Sequence, residues 1–540
     1  MTRKTPEHPA AAPPPASAGA RPHLDPALRT YLLVSAAICG ALVMVLEILG
    51  SRVIGPFFGV SLFVWTALIT VTLLALAAGA ALGGVLADRR EDPDWLFLLL
   101  IVAGVLVILV PLDKGPVLRA AMGLGLRTGA LVSAAVLFGP PLVLLGCVTP
   151  AVVRLAARDL SVLGRTIGLF SALSTLGSFI GTVLTGFVLL ARFGVNGIFA
   201  VVGTLLLALG AVYFVLFRRR WAALAALAIP GVLLATPEPG TATLPNGVLV
   251  EPVAKRESPY GTVRVIDYRY GTNHAREMTI DGLVQGGVDV DAGLSTYAYT
   301  YVLGFVPWLR NPGGKTCLVI GLGGGTIPVW YERLGVRTDV VDIDPDVVAL
   351  AREYFGFRVS GEVVLGDGRH FLQSSTRQWD FIVLDAFTGD TTPAHLLSLE
   401  SLQAVRARLA PGGVFGINLV GAVRGETLIT ASIVATLRQV FPTVEVLPLF
   451  GEPEESGNMI VIAHDRPAPP LTLADVARFP IHPMARPVIE KYFGRVFAFP
   501  AGTPALVLKD DYNPMEFYDL RVKERVRAAI LRDANPGMLL

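Results

Sequence analysis

Four stretches of the carboxyl-terminal half carry glycines or carboxylates at the ends of apolar strands. The glycine run Gly321–Gly325 follows a buried apolar strand, and glycines there let the backbone turn tightly and approach a ligand closely. Asp342, Asp367 and Asp385 each stand at the end of a further apolar strand. Asp342 follows the first glycine at a spacing of about 20 residues, where a carboxylate can accept hydrogen bonds from ribose hydroxyls. The pattern predicts a site for an adenosyl cofactor.

The same residues exclude other cofactors and partners. No lysine follows the glycine run, which excludes a P-loop, and the missing third glycine spacing argues against a nicotinamide cofactor. Cys39, Cys147 and Cys317 lie far apart without metal-ligand spacing, so no metal is predicted. A net charge of +2, with no basic stripe among aromatic residues, predicts no nucleic-acid partner.

Alternating strands and helices must hold these residues at one edge of a sheet. The predicted strands are Thr316–Ile320, Thr338–Val341, Val363–Leu365, Phe381–Leu384 and Val414–Leu419. Helices such as Pro345–Phe355 and Leu399–Leu409 lie between them, and this alternation is typical of a parallel sheet with ligands beyond its carboxyl ends. Asp344 precedes Pro345 and is predicted to cap that helix.

The carboxyl-terminal half is therefore predicted to contain three parts. Two alternating segments, TVRVIDYRYG and AREMTIDG, predict a small β-strand lid over 246–295. An α/β Rossmann-like domain of the class I methyltransferase type follows over 296–470, with a seven-stranded sheet. Residues 471–540 form a carboxyl-terminal extension.

The amino-terminal part of the chain, up to position 236, has a different character. Hydrophobic residues make up 53% of the whole chain and charged residues only 16%, which is too apolar for an ordinary soluble protein of this size. Residues 1–28 are rich in proline and alanine and are predicted to be a disordered tail. A multi-pass α-helical membrane domain is predicted over 29–236.

Six apolar runs in that domain approach or exceed the length of about 18–20 residues that a helix needs to cross a bilayer. They cover about 30–54, 61–87, 95–112, 128–150, 166–191 and 195–217. A seventh run, Trp221–Ala235, is shorter than these and contains Pro230. It is short for a span and is predicted to be interfacial or partly inserted.

The basic residues predict the orientation in the membrane. The amino-terminal tail and alternate loops carry twelve arginines and lysines, whereas the opposite loops carry five. Since cytoplasmic loops are enriched in these residues, the amino terminus is predicted to be cytoplasmic. With six spans the carboxyl-terminal domain is cytoplasmic too, whereas seven would place it outside, where adenosyl cofactors are scarce. Glu47, inside the first run, is a costly intramembrane carboxyl group.

A resemblance to a known family rests on longer segments. The segments VIGLGGGT, VVDIDP, LGDGRHFL and WDFIVLDAFTGDTTPAHLL resemble the spermidine synthase family of polyamine aminopropyltransferases, most closely its membrane-fused bacterial branch. ESPYGTV is similar to an amino-terminal strand of that family, and DGLVQ is similar to its D-G-x-x-Q turn. The segment EILGSRVIGPFFGVSLFVWT resembles the fused branch as well. The resemblance covers about 250–465, and the membrane part is matched less specifically.

The resemblance implies a role for each candidate residue. Asp342 would hold the ribose, Asp367 the adenine, and Asp385 would position an amine nucleophile. The other residues assigned to the cofactor, decarboxylated S-adenosylmethionine or S-adenosylmethionine, are Gly321, Gly323, Gly324, Gly325, Gly368 and Gln285. The residues assigned to the amine substrate are Asp390, Tyr299 and Tyr301.

The sequence departs from the family at three places. The family's glycine loop carries an aspartate that binds the amino group of the decarboxylated cofactor, and Gly324 stands there instead. The second aspartate of the family's D-S-x-D segment is displaced to Asp390, and the Tyr-His-Glu segment near Tyr299 lacks its histidine and glutamate. His395 is predicted to start a helix or to pack.

Three functions remain open at this point. The first is a membrane-anchored aminopropyltransferase acting on an amine such as putrescine. The second is a methyltransferase that uses S-adenosylmethionine, and the third is a non-catalytic transporter or sensor regulated by an adenosyl or polyamine ligand. The expected partners are a small amine and the lipid bilayer, and a homodimer is left open.

Overall fold

A computed structural model of the chain describes residues 25–59, 62–90, 92–156, 163–231, 240–387, 392–452 and 455–518, with Val522, Glu524, Arg525 and Arg527. The described residues fall into a helical half, up to residue 231, and an α/β half, from residue 240 onward. Both halves are needed to build the site described below.

The helical half consists of long apolar helices. They are α1 (Pro26–Phe58), α2 (Leu62–Arg89), α3 (Asp94–Met122), α4 (Leu126–Leu137), α5 (Gly139–Gly146), α6 (Val148–Ala156), α7 (Leu163–Leu184), α8 (Leu190–Arg192) and α9 (Val195–Arg218). A π-helical turn, Thr185–Leu189, joins α7 to α8, and a 3₁₀ helix, Trp221–Ala228, follows α9. Six stretches among the described residues are long and apolar enough to cross a membrane. Such sequences form helices because a helix satisfies all of its backbone polar groups internally.

The fourth apolar stretch differs from the single span predicted over 128–150. The chain forms three consecutive helices there, with breaks at Phe138 and Cys147, and the candidate span is Gly139–Ala156. Pro140 and Pro141 lie in the first turn of α5. Proline has no backbone N–H to donate to the preceding turn, which explains why α4 does not continue.

The α/β half begins with a six-stranded antiparallel sheet in sequential order. Its strands are β1 (Ala242–Thr243), β2 (Leu249–Ser258), β3 (Gly261–Tyr270), β4 (Asn273–Ile280), β5 (Leu283–Asp289) and β6 (Leu294–Ser295). The turn at Asp281-Gly282 joins β4 to β5, as the sequence predicts, and both residues have positive φ angles. Strands of this sheet contact helices of the Rossmann-like domain that follows.

The second sheet has seven strands in the order β12-β13-β11-β10-β7-β8-β9. They are β7 (Thr316–Ile320), β8 (Arg337–Asp342), β9 (Val363–Leu365), β10 (Trp379–Leu384), β11 (Leu409–Ala422), β12 (Thr443–Pro448) and β13 (Ser456–His464). All neighbours pair in parallel except β13, which runs antiparallel to β11 and β12. The predicted methyltransferase-like Rossmann fold is confirmed, and the ends of β7, β8 and β10 meet at one edge.

Helices pack on both sides of this sheet. They are α10 (Ala298–Arg310), α11 (Thr326–Arg333), α12 (Pro345–Tyr354), α13 (Gly368–Ser374), α14 (Leu399–Arg408), α15 (Leu428–Arg438), α16 (Leu473–Val476), α17 (Arg486–Tyr492) and α18 (Met515–Tyr518). The apolar side chains of the strands are buried in two layers, one around Val319 and Val383 and the other around Leu318 and Ile382. Successive strand residues point to opposite faces of the sheet. Burial on both faces therefore holds each strand in place and positions the residue at its end.

Candidate functional site

A single cleft collects most of the candidate residues at the carboxyl ends of β7, β8 and β10. Its cavity has a volume of about 190 Å³ and opens to solvent. Asp342, Asp367 and Asp385 all line it, together with Gln285 from the antiparallel sheet. Ligands of open α/β sheets bind at this edge, so the cleft is the candidate site.

The glycine run forms the floor of the cleft in the way its composition predicts. Gly321 and Gly323 have φ angles of 88° and 50°, which side chains rarely adopt. A Cβ atom on Gly321 would lie 2.3 Å from the carbonyl oxygen of Asp385, and one on Gly323 would lie 2.3 Å from that of Gln285. The loop therefore has to be glycine so that the strand ends can come this close together.

Asp342 is the residue that ties the glycine loop to the second strand. Its Oδ2 accepts a hydrogen bond from the amide of Leu322 at 2.7 Å, and its Oδ1 accepts from the amide of Asp344 at 2.8 Å. Burial raises the pKa of Asp342 to about 6. Each carboxylate oxygen retains capacity for a second donor, and a pair of ribose hydroxyls would supply such donors.

Asp344 caps α12, which confirms the prediction. Its Oδ1 accepts from the amide of Asp346 at 2.9 Å, and its Oδ2 accepts from the hydroxyl of Ser258 at 2.6 Å. The second contact joins the cap to β2 of the antiparallel sheet.

Asp385 follows β10 and lines the cleft. Its Oδ1 accepts one hydrogen bond, at 2.8 Å, from the side-chain amide of Asn418 on β11. The side chain of Asn458 on β13 in turn donates to Asn418 at 3.2 Å. Burial raises the pKa of Asp385 to about 6, and the bond from Asn418 only partly opposes that shift. A carboxylate in this state can accept a proton near neutral pH.

Asp367 has a different environment. It caps α13, with Oδ1 accepting from the amide of His370 at 2.8 Å, and its Oδ2 lies 2.9 Å from Nε2 of His395. Burial alone would raise the pKa of Asp367, but the contacts with His370 and His395 outweigh burial and lower it. Asp367 is thus held ionised at the rim of the cleft.

His395 lies in the cleft, beside the predicted cofactor residues, as its place in the sequence suggested. It belongs to a short 3₁₀ turn, Ala394–Leu396, and lines the cleft beside Asp367. The expectation that it only starts a helix or packs is therefore incomplete. A lone histidine in TTPAHLL gave no signal of its partner because Asp367 belongs to a separate loop earlier in the chain.

The remaining candidates divide into two groups. Gly368 lines the cleft, and a Cβ atom there would meet Ile320 at 2.4 Å. Gly324 and Gly325 are not among the described residues that line it, because they face Phe355 and Phe357 respectively. Their cofactor role remains a prediction.

The proposed substrate residues are placed less favourably. Tyr301 is buried, and its hydroxyl donates to the carbonyl of Ser295 at 2.6 Å and accepts from the amide of His482 at 3.1 Å. Its assignment to the substrate is corrected to a structural role. Burial raises the pKa of the Tyr299 hydroxyl, and the charge of nearby Asp385 raises it further. Asp390 lies outside the described residues.

One wall of the cleft comes from an unexpected part of the chain. Gly55 and Gly59, at the end of α1, line the cleft together with Arg527. Nη2 of Arg527 donates to the carbonyl oxygens of Gly55 and Pro56 at 2.6 and 2.8 Å. No motif in the sequence links these regions, which lie toward opposite ends of the chain.

The arrangement is suited to binding a cationic, hydroxyl-bearing ligand beside a proton acceptor. Five carboxylates line the cleft, and they are Asp281, Asp342, Asp344, Asp367 and Asp385. In a partly water-excluded cleft, these groups favour positive charge. Among the described residues, no cluster of three or more His, Cys, Asp or Glu side chains could hold a metal ion.

Known proteins of two kinds, polyamine aminopropyltransferases and methyltransferases, are similar to this chain. The spermine/spermidine synthase domain matches residues 296–472. A polyamine aminopropyltransferase of Vibrio vulnificus is 34% identical over 162 residues, which are 29% of this chain and 52% of that protein. An N-terminal histidine N-methyltransferase of Emericella nidulans is 32% identical over 196 residues, 35% of this chain and 33% of that protein.

The chain thus spans about half, or less, of the length of these two curated relatives. A crystal structure of a probable spermidine synthase from Corynebacterium glutamicum is 20% identical, with a TM-score of 0.37. That comparison covers 42% of this chain and 84% of the solved one.

Proposed function

Residues 296–472 belong to the spermine/spermidine synthase family, and from that premise we propose that the protein is a membrane-bound transferase that alkylates an amine nitrogen. The alkyl donor is decarboxylated S-adenosylmethionine, the group transferred is aminopropyl, and the acceptor is a small amine such as putrescine. The α/β half works in the cytoplasm, where adenosyl cofactors are made.

The proposal rests on the position of Asp385 in the cleft and on its raised pKa. When bound, the sulfonium cofactor supplies an alkyl carbon that a neutral amine can attack. An amine is mostly protonated at neutral pH, so the enzyme needs an acceptor for its proton. Asp385 lines the cleft, has a pKa raised to about 6 by burial, and retains unused hydrogen-bonding capacity. It is the group that orients the amine and takes its proton.

Asn418 and Asn458 are positioning residues for Asp385. The two side-chain amides form a chain of hydrogen bonds that ends on Oδ1 of the aspartate. This arrangement leaves Oδ2 directed to other partners and fixes the carboxylate plane, which an amine donor requires.

The other carboxylates hold the cofactor. Asp342 accepts the ribose hydroxyls, since its two oxygens each already receive one backbone amide and can each accept one more donor. Asp367, ionised and at the rim, accepts the adenine amino group. Gly321 and Gly323 let the backbone of the loop lie close to Asp385 and Gln285, which line the same cleft.

Methyl transfer from S-adenosylmethionine is the second candidate, and Gly324 favours it. The resembled family carries an aspartate there that binds the amino group of the decarboxylated cofactor. The nearest side chain to a Cβ atom added at Gly324 is the apolar ring of Phe355, at 3.2 Å. No carboxylate of the described residues therefore stands beside Gly324 in place of the family's aspartate. The methyltransferase of Emericella nidulans, with 32% identity over 196 residues, supports the same alternative.

The two candidates are separated by an assay on the full-length protein. Purified chain in detergent or nanodiscs is mixed with isotope-labelled decarboxylated S-adenosylmethionine or S-adenosylmethionine and a panel of amines, and products are identified by mass spectrometry. Full-length chain is required because Gly55 and Gly59 form part of the cleft. An aminopropylated product supports the first candidate, and a methylated product with no aminopropylated one supports the second.

Asp385→Asn then tests the mechanism shared by both. The amide keeps the shape of the side chain but is a far weaker base, so turnover is expected to fall by about 10²–10⁴-fold while cofactor affinity stays near normal. Asp291→Asn, at an exposed position outside the cleft, is the matched control. Equal turnover of wild type and Asp385→Asn would remove Asp385 from catalysis, and binding without any product would favour the sensor or transporter function.

A further inference from the structure

The α/β half rests on one end of the helical bundle. Nη2 of Arg52, near the end of α1, donates to the carbonyl oxygen of Pro259, and Arg127, at the start of α4, pairs with Glu524 at 3.9 Å. A Cβ atom on Gly194, just before α9, would lie 3.7 Å from the side chain of Glu257. The end of α1 and the starts of α4 and α9 therefore share the membrane face that carries the α/β half.

The amino terminus and the end of α9 lie at the opposite end of the bundle. Arg218, the last residue of α9, binds Asp94, the first residue of α3, at 2.5 Å. The hydroxyl of Tyr31, in the second turn of α1, donates to the carbonyl oxygen of Leu209 at 2.6 Å. The 24 residues of α9 span about 36 Å at the rise of an α-helix, which exceeds the hydrocarbon thickness of about 30 Å.

The chain therefore leaves α9 on one face and enters the α/β half on the other. We infer that it crosses the bilayer once more between Arg218 and Gly240, so that the amino terminus and the α/β half lie on opposite sides of the membrane. The six predicted spans become seven crossings.

The 3₁₀ helix Trp221–Ala228 supports this inference directly. Ala226 and the following Ile229 pack against Ile108 of α3 and Leu207 of α9. Leu207 lies about three helical turns before Arg218, or about 16 Å along the helix. The chain has thus turned back and descended beside the bundle to a depth near its middle.

Composition and geometry both suit a crossing at this place. The run from 221 to 235 contains no charged residue, and Trp221, Leu224 and Leu227 are turned away from the bundle, where lipid would contact them. This run is too short to cross a bilayer only if it advances as an α-helix, by about 1.5 Å per residue. A 3₁₀ helix advances about 2.0 Å per residue instead of about 1.5 Å, so the Trp221–Ala228 segment alone covers about 16 Å.

With six spans, the distribution of basic residues and the location of the cofactor favoured the same orientation. With seven crossings they favour opposite orientations. The arginine-rich loops favour a cytoplasmic amino terminus, whereas the adenosyl cofactor of the proposed function requires a cytoplasmic α/β half. Three of the five cations on the other face contact the α/β half or line the cavity beside it, and these are Arg52, Lys114 and Arg127. Their number therefore reflects docking as well as orientation. The inferred crossing itself holds for either orientation.

Single cysteines test the inference in the full-length protein. Wild type is the blank, because Cys39, Cys147 and Cys317 are buried. Asp92→Cys reports the loop before α3, Leu124→Cys the loop before α4, and Asp291→Cys the α/β half, and all three positions are exposed. A membrane-impermeant maleimide is applied to spheroplasts and to permeabilised cells.

The expected result is that Leu124→Cys and Asp291→Cys share one accessibility and Asp92→Cys has the other. Shared accessibility of Asp92→Cys and Asp291→Cys, with Leu124→Cys opposite, would overturn the seventh crossing. Labelling of Asp291→Cys in intact spheroplasts, with Asp92→Cys protected, would keep the crossing but place the site outside the cytoplasm. That outcome would count against the proposed function alone, so the two failures are distinguishable.

Discussion

Helices α1 and α7 of the helical half touch through backbone atoms, whereas elements of the α/β half are joined by charged and polar side chains. In the helical half, a Cβ atom on Gly177 would lie 1.9 Å from the carbonyl oxygen of Ala37, and one on Gly181 would lie 2.5 Å from that of Ala41. Small residues allow this approach, and dispersion contacts rather than hydrophobic burial hold such helices together in lipid.

In the α/β half, buried acids make the equivalent contacts. Asp267 on β3 accepts from Nε and Nη2 of Arg276 at 2.7 and 2.8 Å and contacts His274 at 2.7 Å. Asp339 on β8 accepts from the indole of Trp379 at 2.9 Å. The helical half should therefore be sensitive to added side-chain volume, and the α/β half to the loss of a polar partner.

The largest effect is expected where a methyl group is added to the α1–α7 contact. Gly177→Ala would place its Cβ against a backbone oxygen that cannot rotate away, so the helices must separate, at a cost of about 3 kcal/mol. The variant should therefore unfold at a lower temperature than wild type, as measured by thermal melts and gel filtration of the full chain in detergent.

The matched control for that change lies in the same helix. Gly168 has nothing within 4 Å of its added Cβ, so Gly168→Ala should be neutral or stabilising by up to about 1 kcal/mol, because alanine is the better helix former. If both variants behave alike, backbone contact does not hold α1 to α7 and the comparison fails.

The second prediction concerns Asp342, the acid of the α/β half that we propose holds the ribose. Asp342→Ala should weaken cofactor binding about 100-fold, since it removes two charge-assisted hydrogen bonds to the ribose. Calorimetric titration of the full-length protein measures this change. Asp346→Ala is the control, because Asp346 pairs with Arg256 at 3.4 Å and does not line the cleft.

Unchanged affinity in a folded Asp342→Ala variant would mean that the ribose is held by another group. A thermal melt without cofactor decides whether the variant is folded. This check is needed because the amides of Leu322 and Asp344 lose their acceptor.

The third prediction concerns the stability contributed by Asp267, and its expected effect is smaller. Burial would raise the pKa of Asp267, but the contacts with Arg276 and His274 outweigh it and lower the pKa. The stability contributed by its charge is therefore present above the unfolded pKa of about 3.9 and is lost as the pH falls through the folded value. Asp267→Asn should cost about 2 kcal/mol at pH 7, and the gap to wild type should shrink below about pH 4.

Thermal melts of both proteins at pH 7, 5 and 3.5 measure that gap. A gap that is constant over this range would mean that the charge of Asp267 does not matter and that only its shape does.

The sequence predicted the parts of this molecule that depend on local pattern. Strands β7, β8, β9 and β10 are short apolar runs that end in or are followed by glycine or aspartate, so their order and their carboxyl edge could be predicted. Asp344 was predictable as a cap because aspartate before proline is a local signal.

Features that depend on contacts between distant residues could not be read from the sequence. His395 meets Asp367, and Asn418 meets Asp385, only after the sheet has brought separate loops together. The wall formed by Gly55 and Arg527 joins the two ends of the chain. Tyr301 was assigned to the substrate by resemblance, but its hydroxyl is used to hold Ser295.

The smallest expected effect has the opposite sign and concerns Asp385. Burial raises its folded pKa to about 6, so the stability associated with its protonated form is fully present below about pH 3.9 and is lost as the pH rises through about 6. Two pKa units correspond to at most about 2.7 kcal/mol, and exposure of the side chain to the cleft reduces this to about 1–2 kcal/mol.

Asp385→Asn should therefore be more stable than wild type by that amount at pH 7.5 and equal to it near pH 4, as measured by thermal melts. Asp267→Asn, in the same half, should be less stable than wild type at pH 7.5. If Asp385→Asn is also less stable there, Asp385 is one more structural acid of the α/β half. If it is more stable yet inactive, the fold tolerates a destabilising charge at the position where the reaction needs a base.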